Sequence, residues 1–89
     1  MSTDRVPDVP RRHAGESQRP NAAKAWAMAW HAIGKAGEAD RRDVIILMRR
    51  ASPISYRTAR DILTQAVSDG LLEVVSRDRY GRPTLKRCT

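Results

Sequence analysis

The chain contains no phenylalanine, and two tryptophans with two tyrosines bring its aromatic content to only 4%. So few rings argue against a platform on which successive unpaired bases would stack. Cysteine is nearly absent too. Cys88, one residue from the end, is the only one, which excludes an internal disulfide and a thiol-built metal site and suits a reducing cytoplasm. No apolar run reaches the ~18 residues of a membrane span, and the N-terminal charges are not followed by the apolar segment of a signal peptide. Chemistry-bearing clusters are missing as well. His13 and His31 have no cysteine or paired carboxylate spaced to make a metal or acid/base site with either, and no glycine loop is built to cradle phosphates. The expectation is a cytoplasmic protein that is not an enzyme, with no cofactor, no metal, no membrane partner and no small-molecule effector.

What is present is basic charge on a short chain. The 89 residues carry a formal net charge of +7 and have room for one domain. Residues 1–20 hold three of the five prolines and no apolar periodicity, and read as a disordered tail. In that tail Arg5, Arg11, Arg12 and Arg19 are nearly balanced by Asp4, Asp8 and Glu16. The excess therefore sits in residues 21–89, the expected folded domain. From residue 41 to residue 87 there are 11 Lys and Arg against five acids, gathered near residues 55 and 80. A polyanion is the expected partner.

The periodicities after the tail predict three helices and a hairpin. Asn21 is a candidate N-cap for a helix running to about Ala36, with Ala22, Trp26, Ala29, Trp30, Ile33 and Gly37 on one face and Lys24, His31 and Lys35 opposite. Both tryptophans read as core. Asp40 is the next candidate cap, ahead of a helix from Arg41 to Ala51 whose stripe is Val44, Leu47, Met48 and Ala51, with Ile45 at its margin. Arg49 and Arg50 lie at its C-terminal end, where cations are favoured. Met28 and Ile46 point away from these stripes and, with the first helix, offer a surface for a possible homodimer.

Ser52-Pro53-Ile54-Ser55 breaks the second helix and forms a turn, because proline biases Ser52 away from helical angles. Ser55 then caps a third helix. With Ala59 at zero and a step of about 100° per residue, Ile62, Leu63, Ala66 and Val67 fall within about 80° of it, whereas Arg57, Arg60, Asp61 and Thr64 lie opposite or on the flank. Gly70 stands where a left-handed cap ends the helix. Extended segments follow at Leu71–Ser76 and Thr84–Arg87, joined by the basic turn 77–83 in which Gly81 permits positive φ.

The fold expected is α+β and mainly helical: three helices in a winged helix-turn-helix with a C-terminal two-stranded β-hairpin wing. The run from Ser55 to Leu63, with Ser68-Asp-Gly-Leu-Leu after it, resembles the recognition helix and following strand of winged helix-turn-helix proteins, and is especially similar to GntR-type regulators. The positions that match are Thr58, Arg60, Asp61, Leu63, Gly70 and Leu71. The likeness covers residues 40–87 as a fold and 55–72 as a motif, and the chain lacks that family's effector domain and glycine-rich wing. The resemblance implies a recognition helix whose arginine meets bases or phosphates.

A helix fits the major groove, where arginine pairs with guanine O6 and N7 at about 1–3 kcal/mol of discrimination per good bidentate pair. Arg57 and Arg60 are the candidate base readers. Asp61 is read first as an orienting partner for either arginine and second as an acceptor from cytosine. Ser55, Tyr56, Thr58 and Thr64 flank them, with Tyr56 divided evenly between packing on Leu63 and touching phosphate. Arg77, Arg79, Tyr80 and Arg82 in the wing, with Lys86 and Arg87 in the closing strand, are candidates for backbone or minor-groove contact, and Arg11, Arg12 and Arg19 for a flexible arm. The function expected is double-stranded DNA binding by a small transcriptional regulator. A DNA-binding accessory protein of a phage or plasmid, a winged-helix protein-interaction module and RNA binding are the competing readings.

Overall fold

The computed structural model describes residues 6–7, 9–10 and 19–88, with Arg19 described by its backbone alone. Three helices pack around one core and lean on a three-stranded antiparallel sheet. In chain order the elements are α1 (Arg19–Ala36), β1 (Ala39–Asp40), α2 (Arg41–Ala51), α3 (Tyr56–Ser68), β2 (Leu72–Arg77) and β3 (Pro83–Arg87). The architecture is α+β and mainly helical. The sheet has one strand more than the expected hairpin, because two of the four residues between α1 and α2 pair with the outer flank of β3, setting Ala39 opposite Leu85 and Asp40 opposite Thr84. The strand order is β1-β3-β2. A two-residue strand carries no periodicity, which is why only its partner reveals it.

Local chemistry explains each boundary. α1 begins at Arg19, two residues ahead of the expected Asn21 cap, since Pro20 in the first turn has no N–H that the helix would need. Asn21 instead offers its carbonyl to Ser52 Oγ at 2.8 Å, which ties the start of α1 to the end of α2. Gly37, expected on the apolar face, lies past the helix end at φ 82. Asp40 caps α2 by accepting from the Arg42 N–H at 2.7 Å. Ser55 caps α3 in the same way, through the Thr58 N–H at 3.1 Å. Past α3, Gly70 takes φ +81 and the Leu71 N–H reaches back to the Ala66 carbonyl, which closes the helix end.

The core is helical at its centre, where Trp26, Ile33, Val44, Ile45, Met48, Ile62 and Leu63 are almost wholly buried, together with Leu72 and Leu85 from the sheet. Ile45, expected at the margin, is 1% exposed, while Leu47 and Ala51 are only half buried. The reason is tertiary: α2 packs on α1 and on α3, so its buried face is wider than one stripe. Trp26 and Trp30 stack at 5.8 Å between centroids, tilted by 47°.

Four residues of the segment expected to be a disordered tail have a place in this core. Val6 and Val9 pack against it, Pro10 is fully buried, and the Pro7 carbonyl accepts from Trp26 Nε1 at 2.8 Å. Arg11, Arg12 and His13 lie outside the described residues. Among the described residues no helix is long and apolar enough to cross a membrane.

Candidate nucleic-acid interface

α3 presents two faces of opposite chemistry, as its capping and periodicity require. Ala59, Ile62, Leu63 and Ala66 are buried; Arg57, Arg60 and Thr64 are exposed, and Asp61 is half buried between them. The Ser55 hydroxyl also donates to Thr58 Oγ1 at 3.0 Å, so these two side chains build the helix start and are spent locally. Asp61 forms no ion pair with Arg57 or Arg60. Among the described residues the one ion pair is Lys86 with Glu73, at 3.1 Å across the β2–β3 ladder. The guanidinium groups of α3 are therefore held by no carboxylate, and the orienting role expected of Asp61 is absent in the unbound chain.

The β2–β3 turn is built by one carboxylate. Asp78 Oδ1 accepts from the backbone N–H of Tyr80 at 2.8 Å and of Arg82 at 2.9 Å, while the main chain closes between Asp78 N and Arg82 O and between Gly81 N and Asp78 O. The N–H of Arg82 above all holds the Asp78 carboxyl below its ordinary value; desolvation opposes it, and the N–H of Tyr80 and the positive charge of Arg82 add to the lowering. Gly81 supplies φ +80 at the bend. Arg77 Nη1 donates to the Gly81 carbonyl at 3.0 Å and thus stitches the turn rather than projecting from it.

The tip carries Tyr80, 73% exposed, with the guanidinium carbons of Arg79 and Arg82 at 5.9 and 5.6 Å from its ring centroid. Cation–π attraction holds all three together on the outside of the hairpin.

β3 sorts its residues by the pleat. Pro83 and Leu85 face the helices, and Arg87 follows on the same side, while Thr84 and Lys86 face away. Pro83 is tolerated as the first strand residue, where its missing N–H costs least. Arg87 therefore runs inward. Its guanidinium carbon lies 4.5 Å from the Trp30 ring centroid and Nη1 stands 3.5 Å from the Trp30 carbonyl, so the phosphate contact expected of it gives way to packing on α1. Lys86 is matched by Glu73 on the outer face.

Two hollows lie between α2, α3 and the β2–β3 hairpin. One is apolar at its floor, lined by Leu63, Val67, Val74, Pro83 and Leu85 with Arg41, Thr64 and Arg77 around it. The other, of about 370 Å³, is lined by Arg41, Arg42, Tyr56 and Arg82. Tyr56 is 45% exposed and lines this second hollow. Arg41 and Arg42 were missed from the sequence, where they read only as the start of α2. A signal was there: two cations in the first turn of a helix oppose its dipole.

No protein-family model matches the chain, and no curated protein or solved structure is similar to it. Among the described residues no cluster of three or more His, Cys, Asp or Glu is placed to hold a metal.

Proposed function

We propose that the chain is a winged helix-turn-helix protein that binds double-stranded DNA as a small transcriptional regulator, with α3 in the major groove and the β2–β3 turn beside it as the wing. The observation that carries this reading is the cationic surface: Arg57 and Arg60 on the exposed face of α3 and Arg79 at the turn have no carboxylate partner, and Arg82 beside them makes no ion pair although its charge acts on Asp78. Cations left open on a capped, rigid helix are available to guanine edges and phosphates without first breaking an ion pair. The element order from α1 to β3 and the likeness of Thr58-Ala-Arg-Asp-Ile-Leu to GntR-type recognition helices support the same assignment.

In this reading Arg57 and Arg60 read bases, and Arg79, Tyr80 and Arg82 position the duplex through its backbone or minor groove. The test is fluorescence-anisotropy binding to random and selected duplexes across a salt series. Arg57→Ala erases preference among sequences, whereas Arg79→Ala weakens all sequences alike and lowers the salt slope by about one. Absence of duplex binding at about 0.15 M salt sinks the proposal and leaves docking on an acidic protein as the use of this surface.

A further inference from the structure

We propose that Arg41, Arg42, Arg82 and Tyr56 form a clamp for one backbone phosphodiester of duplex DNA. This inference rests on the DNA-binding reading and names an anchor for it away from the base-reading face of α3. Three elements meet at the hollow: Arg41 and Arg42 open α2, Tyr56 opens α3, and Arg82 arrives from the β2–β3 turn. Three guanidinium groups and a phenol around one space of about 370 Å³ offer N–H and O–H donors and no acceptor charge. The neighbouring acids offset it only in part, through the charge of Asp78 acting on Arg82. Asp40 is turned to the Arg42 backbone N–H and Asp78 to the N–H groups of the turn, and neither makes an ion pair with the three arginines.

Electrostatics favours an anion as the occupant. Three cations line the hollow and two of them stand at the positive end of α2, where Asp43 is the one acid of the first turn, so the space carries an excess of positive charge. A phosphodiester placed there adds an attraction to each of these cations at once. Planar guanidinium groups match phosphate oxygens in pairs, and the Tyr56 hydroxyl adds a neutral donor. Because the clamp joins α2 to the wing, binding also fixes the angle at which α3 lies on the duplex.

The experiment compares salt series of duplex binding for the wild-type chain, Arg42→Ala, Arg82→Ala, their double variant, Tyr56→Phe and the pair Arg49→Ala/Arg50→Ala, each with a melting curve to verify folding. Arg42→Ala and Arg82→Ala are each expected to weaken random and selected duplexes by one common factor. The double variant falls short of the product of the singles, because both serve the same phosphate, and its salt slope drops by about one. Tyr56→Phe weakens binding with the slope unchanged. The Arg49/Arg50 pair removes the same charge from the exposed far end of α2 and is expected to do less.

An equal effect from that pair, or strictly multiplicative losses for Arg42 and Arg82, overturns the clamp and assigns the effect to overall charge. If the wild-type chain binds duplex with a preference that Arg57→Ala erases, yet Arg42→Ala and Arg82→Ala match it in affinity and slope, the clamp is wrong and the DNA reading survives. If the wild-type chain binds no duplex, both fall together.

Discussion

Replacing Gly34 by alanine should change the stability of this protein with opposite consequences in two backgrounds. A methyl group on Gly34 would lie 2.5 Å from Cζ of Arg87 and 2.9 Å from its Nε, closer than real contacts allow, so the guanidinium must leave its seat on α1. That seat is the face of Trp30, at 4.5 Å, and losing it forfeits a half-exposed cation–π contact of about 0.5–1 kcal/mol together with the packing of the arginine stem. Against this, alanine is worth up to about 1 kcal/mol over glycine within a helix, somewhat less so near its end. The two contributions nearly cancel in the wild type. In Arg87→Ala the first has already gone, and the helix gain stands alone. Gly34→Ala should therefore leave the wild-type melting temperature almost unmoved or lower it slightly. The same change should raise that of Arg87→Ala by several degrees, since about 1 kcal/mol corresponds to ~4–8 °C in a domain of this size. Thermal melts of the four proteins followed by circular dichroism measure the coupling directly. Equal shifts in both backgrounds, within the ~0.3–0.5 kcal/mol expected of independent sites, would refute the seat. The same Arg87→Ala variant should keep the wild-type salt slope in duplex binding, because its charge is turned toward α1.

Three further outcomes follow from the geometry. Acidification should loosen the β2–β3 turn first: the Asp78 carboxyl is held below its ordinary value, so its contribution is complete above the normal carboxylate range and is lost as pH falls through the depressed value, visible as the amide signals of Tyr80 and Arg82. Persistence of those signals unchanged in Asp78→Ala would show that the turn does not depend on the carboxylate. Ser55→Ala should cost about 1 kcal/mol, by removing the acceptor for the Thr58 N–H at the start of α3, and should do so in a melt without altering α1 or α2. Ile62→Ala, at a wholly buried position, should cost about 2–5 kcal/mol in denaturant titration with an unchanged slope against denaturant, and a loss under 1 kcal/mol would place Ile62 outside the core.

The two hollows also bear on how the β2–β3 turn is held. Arg41 lines both, so it stands between the apolar space behind α3 and the cationic space in front of it. Around the bulge at Val75 the register of β2 slips by one residue, which returns Arg77 to the side of Pro83 and lets it reach the Gly81 carbonyl. The stitch ties the guanidinium of Arg77, itself exposed, to the turn, while Arg79 and Arg82 gather on the Tyr80 ring.

Local chemistry alone determined much of this protein. Asp40 and Ser55 are legible as caps because a short polar side chain before an apolar period has one good use, and Gly70 and Gly81 because a reversal of the chain there requires positive φ. The split of α3 into a buried and a cationic face is likewise a matter of spacing within thirteen residues. Tertiary structure decided the rest, since each remaining feature joins residues distant in sequence. β1 exists only because β3 pairs with it, Ile45 is buried only because α2 has two helical neighbours, and the Pro7 carbonyl finds Trp26 across a gap no periodicity spans. Arg87 reads as one more exposed cation until the pleat of β3 turns it onto Trp30. Arg41, Arg42, Tyr56 and Arg82 read as four unrelated residues until three elements converge and set their side chains around one space.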